Sequence, residues 1–332
     1  ILNAVHTFAS DPSRGIYILI FLSLMIFSAL IIFFSKNHNE NYNFNLKSRE
    51  IFILTNNWFM AFFLLTVLIG MLYPIFLDVL ANKKISVGPP FFNIVIIPLV
   101  VPFMFLMAIG PKFGWIKSKN KIFYKSLLLS LGAVAINLFI FYFFGKYSFL
   151  SNLIFTAAIF LILYSFLDII DSINKRTKFE FPRAISHLGF GMLVFFIGIN
   201  HQFSTEEDFN LKIGEVKKTT NYEINFEKIE IKESKNYKSV TGIFKLINLK
   251  NSSIQNLNPE IRIYSSPETL TYEAAIKTKI TSDLYLTMSN VSRSEFYNIK
   301  FQKKPFMIWI WISAFIIALG GFVQLTLKKN ED

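Results

Sequence analysis

Seven long runs of apolar residues alternate with short polar stretches along this chain. Each run is close to the length of about 20 residues that an α-helix needs to cross a bilayer. The second run is longer than the others, so we expect it to tilt or to extend beyond the bilayer. The pattern predicts a polytopic α-helical membrane protein with about seven spans. The runs occupy residues 16–34, 51–76, 92–110, 123–144, 149–168, 185–203 and 306–327.

The segment 204–305 has a different pattern, in which short stretches alternate apolar and polar residues. In residues 222–227 the period is two, and Ile229 and Ile231 resume it after a slip of one residue. The stretches 261–264 and 283–288 also alternate. Period two with β-branched and aromatic residues is typical of half-buried strands. We therefore expect a β-rich domain inserted before the last span.

These two patterns predict the organisation of the whole chain. We expect six transmembrane helices with short loops in residues 1–203 and a β-rich domain in 204–305. The last transmembrane helix then covers 306–327, and 328–332 form a cytoplasmic tail. The 332 residues are 53% hydrophobic with a mean hydropathy of +0.44, which agrees with a membrane protein and not with a soluble domain.

Lysine and arginine are distributed unevenly over the predicted loops. Of the 34 basic residues, 18 lie outside 204–305, and 14 of these fall on one side of an alternating topology against 4 on the other. Cytoplasmic loops carry such an excess. The C-terminus is therefore predicted to be cytoplasmic, with the 77–91 loop and the β-rich domain outside the cytoplasm. The net charge of +12 is thereby explained by orientation, and no nucleic-acid partner is expected.

The sequence contains four histidines and no cysteine. Without thiolates, histidine is the strongest transition-metal ligand that it offers. His6 lies just before the first span. His187 lies about two residues inside the sixth span, where an ionisable residue is costly and suggests a function. Gly191 and Gly198 lie near the same helix face as His187, and their small size would admit either a flat group or a neighbouring helix.

The other two histidines are predicted to have no ligand role. His38 lies in a polar, asparagine-rich loop and is expected to be solvated. His201 follows His187 by 14 residues on the same predicted helix, or about 21 Å at 1.5 Å per residue, so the two cannot share an iron. We expect His201 to lie at the membrane interface. No phosphate-binding loop or hydrolase motif is present, and no residue is assigned a catalytic role.

Four stretches of the chain together resemble the CcmF family of cytochrome c-type biogenesis proteins, which are haem lyase subunits. They occur in family order along the whole chain, and the Ser-Val-Gly-Pro-Pro loop at 86–90 is the most specific of them. Its two prolines suit either a rigid platform or a plain turn. The stretches are His6–Gly15; Ser48-Arg49-Glu50 with Asn56-Asn57, Gly70–Pro74 and Ile85–Asn93; Ser186–Gly191; and Glu273–Ile276 with Asp283–Tyr285, Lys304–Phe306 and Trp309–Trp311.

The resemblance covers roughly the C-terminal half of the family protein. Members carry a tryptophan-rich motif before the position of His6, and the four tryptophans of this chain, Trp58, Trp115, Trp309 and Trp311, do not form it. The chain begins with Ile1 and has no cleavable signal, so we interpret it as a fragment whose N-terminal part is missing.

The resemblance implies a haem lyase core subunit of the bacterial inner membrane, active at its periplasmic face. His6 would be an axial ligand of haem in transit, and Arg14 could pair with one of its propionates or act as an interface anchor. His187 would ligate a membrane-embedded b-type haem. Each haem would need a second histidine, which we expect in the missing part. The implied partners are apocytochrome c, a periplasmic haem chaperone, other haem lyase subunits and, as a candidate electron donor, quinol.

Two functions of other classes remain as alternatives. The chain could be a haem transporter or export channel, which would require a continuous polar path across the spans. It could also be a membrane scaffold of the maturation complex, with the β-rich domain as a docking surface. The ionisable residues near the spans, chiefly Asp168 and His187, cluster near one end, which disfavours a channel.

The predicted topology can be tested by labelling because the chain contains no cysteine. A cysteine introduced at Ser86 should react with a membrane-impermeant thiol reagent in whole cells, since the charge asymmetry places this loop outside the cytoplasm. A cysteine at Ser118 should react only after the cells are opened. The opposite labelling pattern would overturn the predicted orientation of every span.

Overall fold

A computed structural model describes residues 12–35, 48–115, 121–145, 148–175, 180–265, 268–290 and 295–328. Within these ranges seven helices are long and apolar enough to cross a membrane, which confirms the predicted fold class. They are α1 (Pro12–Ser35), α2 (Arg49–Ala81), α3 (Pro89–Ile109), α4 (Lys121–Phe144), α5 (Phe149–Lys175), α6 (Glu180–Phe203) and α7 (Met307–Lys328).

The second helix is longer than its apolar run, because the run ends at residue 76 and α2 continues to Ala81. It ends at Asn82, whose left-handed backbone (φ 49°) accompanies two hydrogen bonds common at helix C-termini. The Asn82 N–H donates to the Asp78 carbonyl, and the Lys83 N–H donates to the Leu77 carbonyl. The predicted boundary at residue 76 was therefore too early. After the loop, Gly88 precedes α3, and the first helical residue is Pro89, a position where a missing N–H does no harm.

The first compact unit comprises residues 1–191 and 323–332, and α5 supplies most of its buried side chains. Ala157, Ala158, Phe160 and Leu161 are fully buried, and α5 packs against both α3 and α4. Most other large apolar side chains of the helices are exposed, as expected of surfaces that face lipid or other protein segments. The unit therefore has its interior around α5.

The second compact unit, residues 192–322, contains two antiparallel sheets that form a β-sandwich. One sheet has the strand order β1-β10-β9-β8, and the other has the order β2-β3-β4-β6-β7 with β5 paired to β4. The strands are β1 (Thr205–Leu211), β2 (Val216–Lys218), β3 (Tyr222–Glu233), β4 (Tyr237–Asn248), β5 (Ile254–Leu257), β6 (Glu260–Ser265), β7 (Glu268–Glu273), β8 (Ala275–Lys277), β9 (Ser282–Asn290) and β10 (Tyr297–Pro305).

The alternation slip noted in the sequence is a β-bulge. The register between β3 and β4 shifts between Phe226 and Lys228, so one extra residue is accommodated and the apolar side chains return to the inner face. Nearby, a Cβ on Gly242 would lie 2.6 Å from a ring carbon of Phe244 and 2.8 Å from the Met288 sulfur. Glycine is therefore required there by close packing.

The core of the sandwich consists of alternate residues from both sheets. Phe226 and Phe244 stack at 4.3 Å between ring centroids, and both are fully buried. Leu284, Leu286 and Met288 of β9 face them from the other sheet. The same unit includes the ends of two helices, where Asn200 donates a 2.8 Å hydrogen bond to the Pro305 carbonyl and the Trp309 ring stacks on Phe196 at 5.4 Å.

Truncation of the stacked pair should destabilise the sandwich. We expect Phe244→Ala in the full chain to lower its free energy of unfolding by about 3–5 kcal/mol, because a fully buried ring leaves a cavity. The measurement is the urea dependence of proteolytic cleavage within residues 204–305. Ile231→Ala is the control: Ile231 is 72% exposed, so a change of only about 0.5 kcal/mol or less is expected. Equal losses in the two variants would contradict this assignment of the core.

Candidate cofactor site

A cavity of about 240 Å³ lies between the start of α2, the end of α3 and the start of α6. His187 forms part of its wall, together with the apolar side chains of Phe52, Leu106 and Met107. Three further polar side chains line it. These are Arg49 and Asn56 of α2 and Arg183 of α6.

The helical repeat explains why α2 contributes this set of residues. Arg49, Phe52, Ile53 and Asn56 are spaced i, i+3, i+4 and i+7, so they lie on one helix face. On α6, Arg183 precedes His187 by four residues and is its neighbour along the helix surface. Helices α2 and α6 therefore each bring one arginine and one further polar side chain to the cavity.

The first turn of α2 is held by contacts outside the helix. The Arg49 backbone N–H donates to the Gly114 carbonyl at 2.9 Å, and the Arg49 guanidinium lies 5.0 Å from the centroid of the Trp115 ring. Ser48 is the N-cap residue, and its side chain accepts from the Ile51 N–H. The segment after α3 therefore fixes where α2 begins and where Arg49 lies.

Two glycines allow the helices around the cavity to approach closely. A Cβ on Gly110 would lie 3.1 Å from the Phe52 Cβ. A Cβ on Gly191 would lie 3.0 Å from Ile162 and 3.3 Å from the Ala158 carbonyl oxygen on α5. Of the two interpretations left open for Gly191, these contacts support helix packing.

An aromatic cluster lies about one helical turn deeper than the cavity residues. The Phe103 ring of α3 has its centroid 5.7 Å from Phe59, 5.5 Å from Phe63 and 6.0 Å from Phe190. Phe59 follows Asn56 by three residues, and Phe190 follows His187 by three. Rings from α2, α3 and α6 thus meet beyond the polar groups, and the polar part of the site is confined to the helix ends.

A buried ion network adjoins the cavity. Asp168 of α5 is 4% exposed; its carboxylate lies 2.7 Å from the Lys112 ammonium nitrogen and 3.6 Å from Nη2 of Arg183. Glu180 lies 3.6 Å from Lys112 and 3.7 Å from Arg183. Two acids and two bases balance in this network. Burial of Asp168 is tolerable because cations offset its lost hydration.

Nη2 of Arg183 has no hydrogen-bond acceptor among the described residues, although the atom is buried. Its distances to Asp168 and Glu180, 3.6 and 3.7 Å, exceed the usual hydrogen-bond length. Arg49 has the Trp115 ring as its side-chain contact, and no described carboxylate lies within ion-pair distance of it. The cavity therefore combines an imidazole with two guanidiniums that can still accept an anion.

The predicted site residues lie in different places. His187 lines the cavity, and His201 is exposed in the last turn of α6. His6 and His38 lie outside the described residues, and Arg14 is in the first turn of α1. Sequence reasoning missed Arg183 and gave Arg49 and Asn56 no role. The helical spacing of Arg183 and His187 was the one signal available.

The loop at 86–90 borders a second cavity, of about 490 Å³. Ser86, Val87 and Gly88 line it together with Tyr73 of α2 and Phe91 of α3. A Cβ on Gly70 would lie 2.7 Å from the Phe92 ring, so α2 approaches α3 closely beside this cavity. The two prolines begin α3, and the loop thus combines a helix start with a cavity wall.

Comparison with known proteins identifies relatives along almost the whole chain. A family model described as the CcmF C-terminal beta-sandwich matches residues 202–305. The cytochrome c-type biogenesis protein CcmF of Pseudomonas fluorescens is 30% identical over 334 residues, which are 97% of this chain and 50% of that protein. The CcmF of Escherichia coli strain K12 is 28% identical over 333 residues, covering 98% of this chain and 51% of that protein.

A solved structure supports the same fold. The chain entitled Cytochrome c Heme Lyase CcmF superposes with a TM-score of 0.69 at 19% sequence identity, covering 84% of this chain and 46% of that one. This likeness shows the fold alone. The chain spans about half the length of the curated relatives that it matches.

Removal of the central acid of the ion network should destabilise the helical unit. We expect Asp168→Asn to cost about 3–5 kcal/mol, because it leaves the half-buried Lys112 and Arg183 side chains without enough negative charge. The measurement is the fraction of detergent-solubilised chain that stays monomeric after heating. Asp171→Asn is the matched control one turn along the same helix. Asp171 pairs with Lys125 at 3.5 Å and both side chains are 42% exposed, so a loss below about 1 kcal/mol is expected. Equal heat sensitivity of the two variants would show that the network does not support the fold.

Proposed function

The chain belongs to the CcmF family of cytochrome c-type biogenesis proteins, and on this basis we propose that it is a core subunit of a haem lyase. In this proposal it binds haem and promotes its covalent attachment to the Cys-x-x-Cys-His motif of apocytochrome c. It does so at the periplasmic face of the bacterial inner membrane. Relatives named for cytochrome c biogenesis and for haem lyase support this assignment.

The observation that carries the proposal is the convergence of His187, Arg183 and Arg49 on one cavity. Imidazole nitrogen is a ligand that haem iron takes readily, and the apolar side chains of Phe52 and Leu106 suit a porphyrin face. Two guanidiniums in the wall, Arg183 with a 20% exposed side chain and Arg49, fit a group that carries negative charge. These residue types therefore suit a b-type haem ligated by His187, of which the cavity of about 240 Å³ would hold a part.

A haem bound at His187 would supply one-electron chemistry in the membrane, with quinol as the candidate electron donor. The role of His187 is then to hold the iron and to help set its redox state. The surrounding helices position the group and exclude water from it. The electrons would keep the iron of incoming haem ferrous.

The attachment step joins the two vinyl groups of the substrate haem to two thiols. Each thiol S–H adds across one vinyl C=C bond, so a thioether forms and no oxidant is consumed. Both thiols belong to apocytochrome c, which agrees with the absence of cysteine from this chain. The chain contributes mainly by positioning. In this proposal a periplasmic haem chaperone delivers the haem, His6 ligates it at the outer face, and Arg14 is a candidate partner of its propionates.

The β-sandwich is proposed to be a protein-interaction surface of the haem lyase complex. It contains no histidine or cysteine, and its Met288 is 1% exposed within the core. It therefore has no suitable set of iron ligands of its own. Apocytochrome c or another haem lyase subunit is its expected partner.

A haem export channel is the less favoured function. Among the described residues, the buried Asp168 and the half-buried Lys112 and Arg183 lie at one end with His187. Fully buried Phe160 and Leu161 occupy the next turns of α5. A transport path would need polar groups along its length, so this arrangement fits a fixed cofactor site better than a channel.

Substitution of His187 tests the proposed function. In membranes containing the complete haem lyase complex, His187→Ala should abolish the low-spin spectrum of the embedded haem, because the iron loses an axial imidazole. The cytochrome c yield should fall at least tenfold. His201→Ala is the control on the same helix and should keep both the spectrum and the yield. An unchanged low-spin spectrum in His187→Ala would refute the ligand assignment.

A further inference from the structure

Arg183 and Arg49 both present half-buried guanidiniums to the cavity beside His187. The cavity wall is otherwise largely apolar, with Phe52, Leu106 and Met107 among its members. A cation in such surroundings loses hydration, and an anion with good hydrogen-bond geometry offsets that cost. The described residues supply that anion only in part.

The charges of the described residues around the cavity do not balance. Lys112, Arg183 and Arg49 carry three positive charges, while Asp168 and Glu180 carry two negative ones, which leaves 3 − 2 = +1. The two carboxylates are shared with Lys112, and Nη2 of Arg183 is left without an acceptor. The surplus charge lies at the cavity that His187 lines, because Arg49 and Arg183 both form part of its wall and the Arg183 side chain is 20% exposed.

We propose that Arg183 and Arg49 form the binding site for the carboxylates of the haem held by His187. This inference rests on the proposed function, since it assumes a haem at that histidine. It assigns a substituent-binding role to Arg49, which lies outside the ion network, and a second role to Arg183, which also pairs with Asp168. Guanidinium groups suit the task because their fixed fork of donors matches the two oxygens of a carboxylate.

The positions of the two arginines match the shape of a haem. The two propionates of a haem project from one edge of the macrocycle. Arg183 lies one helical turn before His187 on α6, and Arg49 is the first residue of α2, so both arginines lie toward the helix ends and the aromatic cluster around Phe103 lies on the other side of His187. The site is therefore polar at one edge and apolar at the opposite one, as the ligand is.

The same arrangement predicts an electrostatic effect on the iron. Reduction adds one negative charge to the haem, and nearby guanidiniums stabilise that charge. Replacement of either arginine by a neutral residue should therefore shift the midpoint potential of the His187 haem to a lower value. A purely structural role in the ion network would give no such shift for Arg49, which lies outside that network.

The test compares haem with haem dimethyl ester, in which both propionates are methylated. The haem lyase complex with this chain is prepared from haem-deficient cells and titrated with each compound, and the low-spin absorbance that disappears in His187→Ala is recorded. We expect Arg183→Gln and Arg49→Gln each to weaken haem binding about 10- to 100-fold, the range for one lost charge-assisted hydrogen bond. With the dimethyl ester, wild type should bind weakly and neither substitution should weaken it further.

Two controls separate the proposal from a folding defect. Lys125→Gln removes a positive charge from α4 whose partner is Asp171 and which does not line the cavity, so both titrations should match wild type. Arg183→Lys keeps the charge for Asp168 and should recover part of the affinity for haem. Because Arg49 is outside the ion network, Arg49→Gln tests the proposal even where Arg183→Gln fails to fold.

The outcomes distinguish this inference from the function on which it rests. Equal weakening for haem and for its dimethyl ester would overturn the carboxylate site, because the arginines would then act on the fold. Equal wild-type affinity for the two compounds, unaffected by the substitutions, would also overturn it and would leave the arginines to another anion, such as a lipid phosphate. If wild type shows no His187-dependent haem at all, the proposed function itself fails.

Discussion

The burial of Asp168 within the helical unit is the constraint on which the site depends. A carboxylate among apolar helices is stable only when cations lie close to it. Lys112 comes from the turn after α3, Asp168 from α5 and Arg183 from α6. The pairing therefore holds three helix ends at one level. The hydrogen bond from the Arg49 N–H to Gly114 brings the start of α2 to the same level, and the cavity forms where these ends meet.

Close packing sets the width of that cavity. Gly110 and Gly191 let α2 and α5 approach the backbones of the helices that carry the site. The rings around Phe103 then hold α2, α3 and α6 apart at a fixed spacing one turn deeper. Glycines beside the cavity and aromatic rings one helical turn deeper together leave the cavity open between the helices. The polar groups lie only toward the helix ends, where the ion network supplies the opposite charges.

Local patterns in the sequence were sufficient to predict the elements but not the site. The seven spans follow from the apolar runs, and three of the ten strands, β3, β6 and β9, with the one-residue slip after Phe226, follow from period two, which neighbouring residues determine. The end of α2 was placed at residue 76, before Asp78 interrupts the apolar run, whereas the helix continues to Ala81. The meeting of Arg49 with His187 could not be predicted, since the two are more than one hundred residues apart in sequence and their proximity depends on helix packing. Arg183 offered only its spacing from His187, which equally suits an ordinary interfacial arginine.

The basic residues of the site belong to the charge excess that predicts the orientation of the chain. Four of the 14 basic residues on the predicted cytoplasmic side are Arg49, Lys112, Lys125 and Arg183, and each has a defined contact in the structure. The orientation of the chain depends on the total number of basic residues on each side. The loss of one of them leaves 13 on the predicted cytoplasmic side against 4 on the other, so the asymmetry is preserved. The ion network and the cavity depend on where each basic residue lies, because a cation stabilises only a carboxylate or another anion that lies beside it. A substitution at Arg183 therefore acts on the ion network and the candidate site and leaves the topology unchanged. Its effect on the candidate site can thus be measured separately from its contribution to membrane insertion.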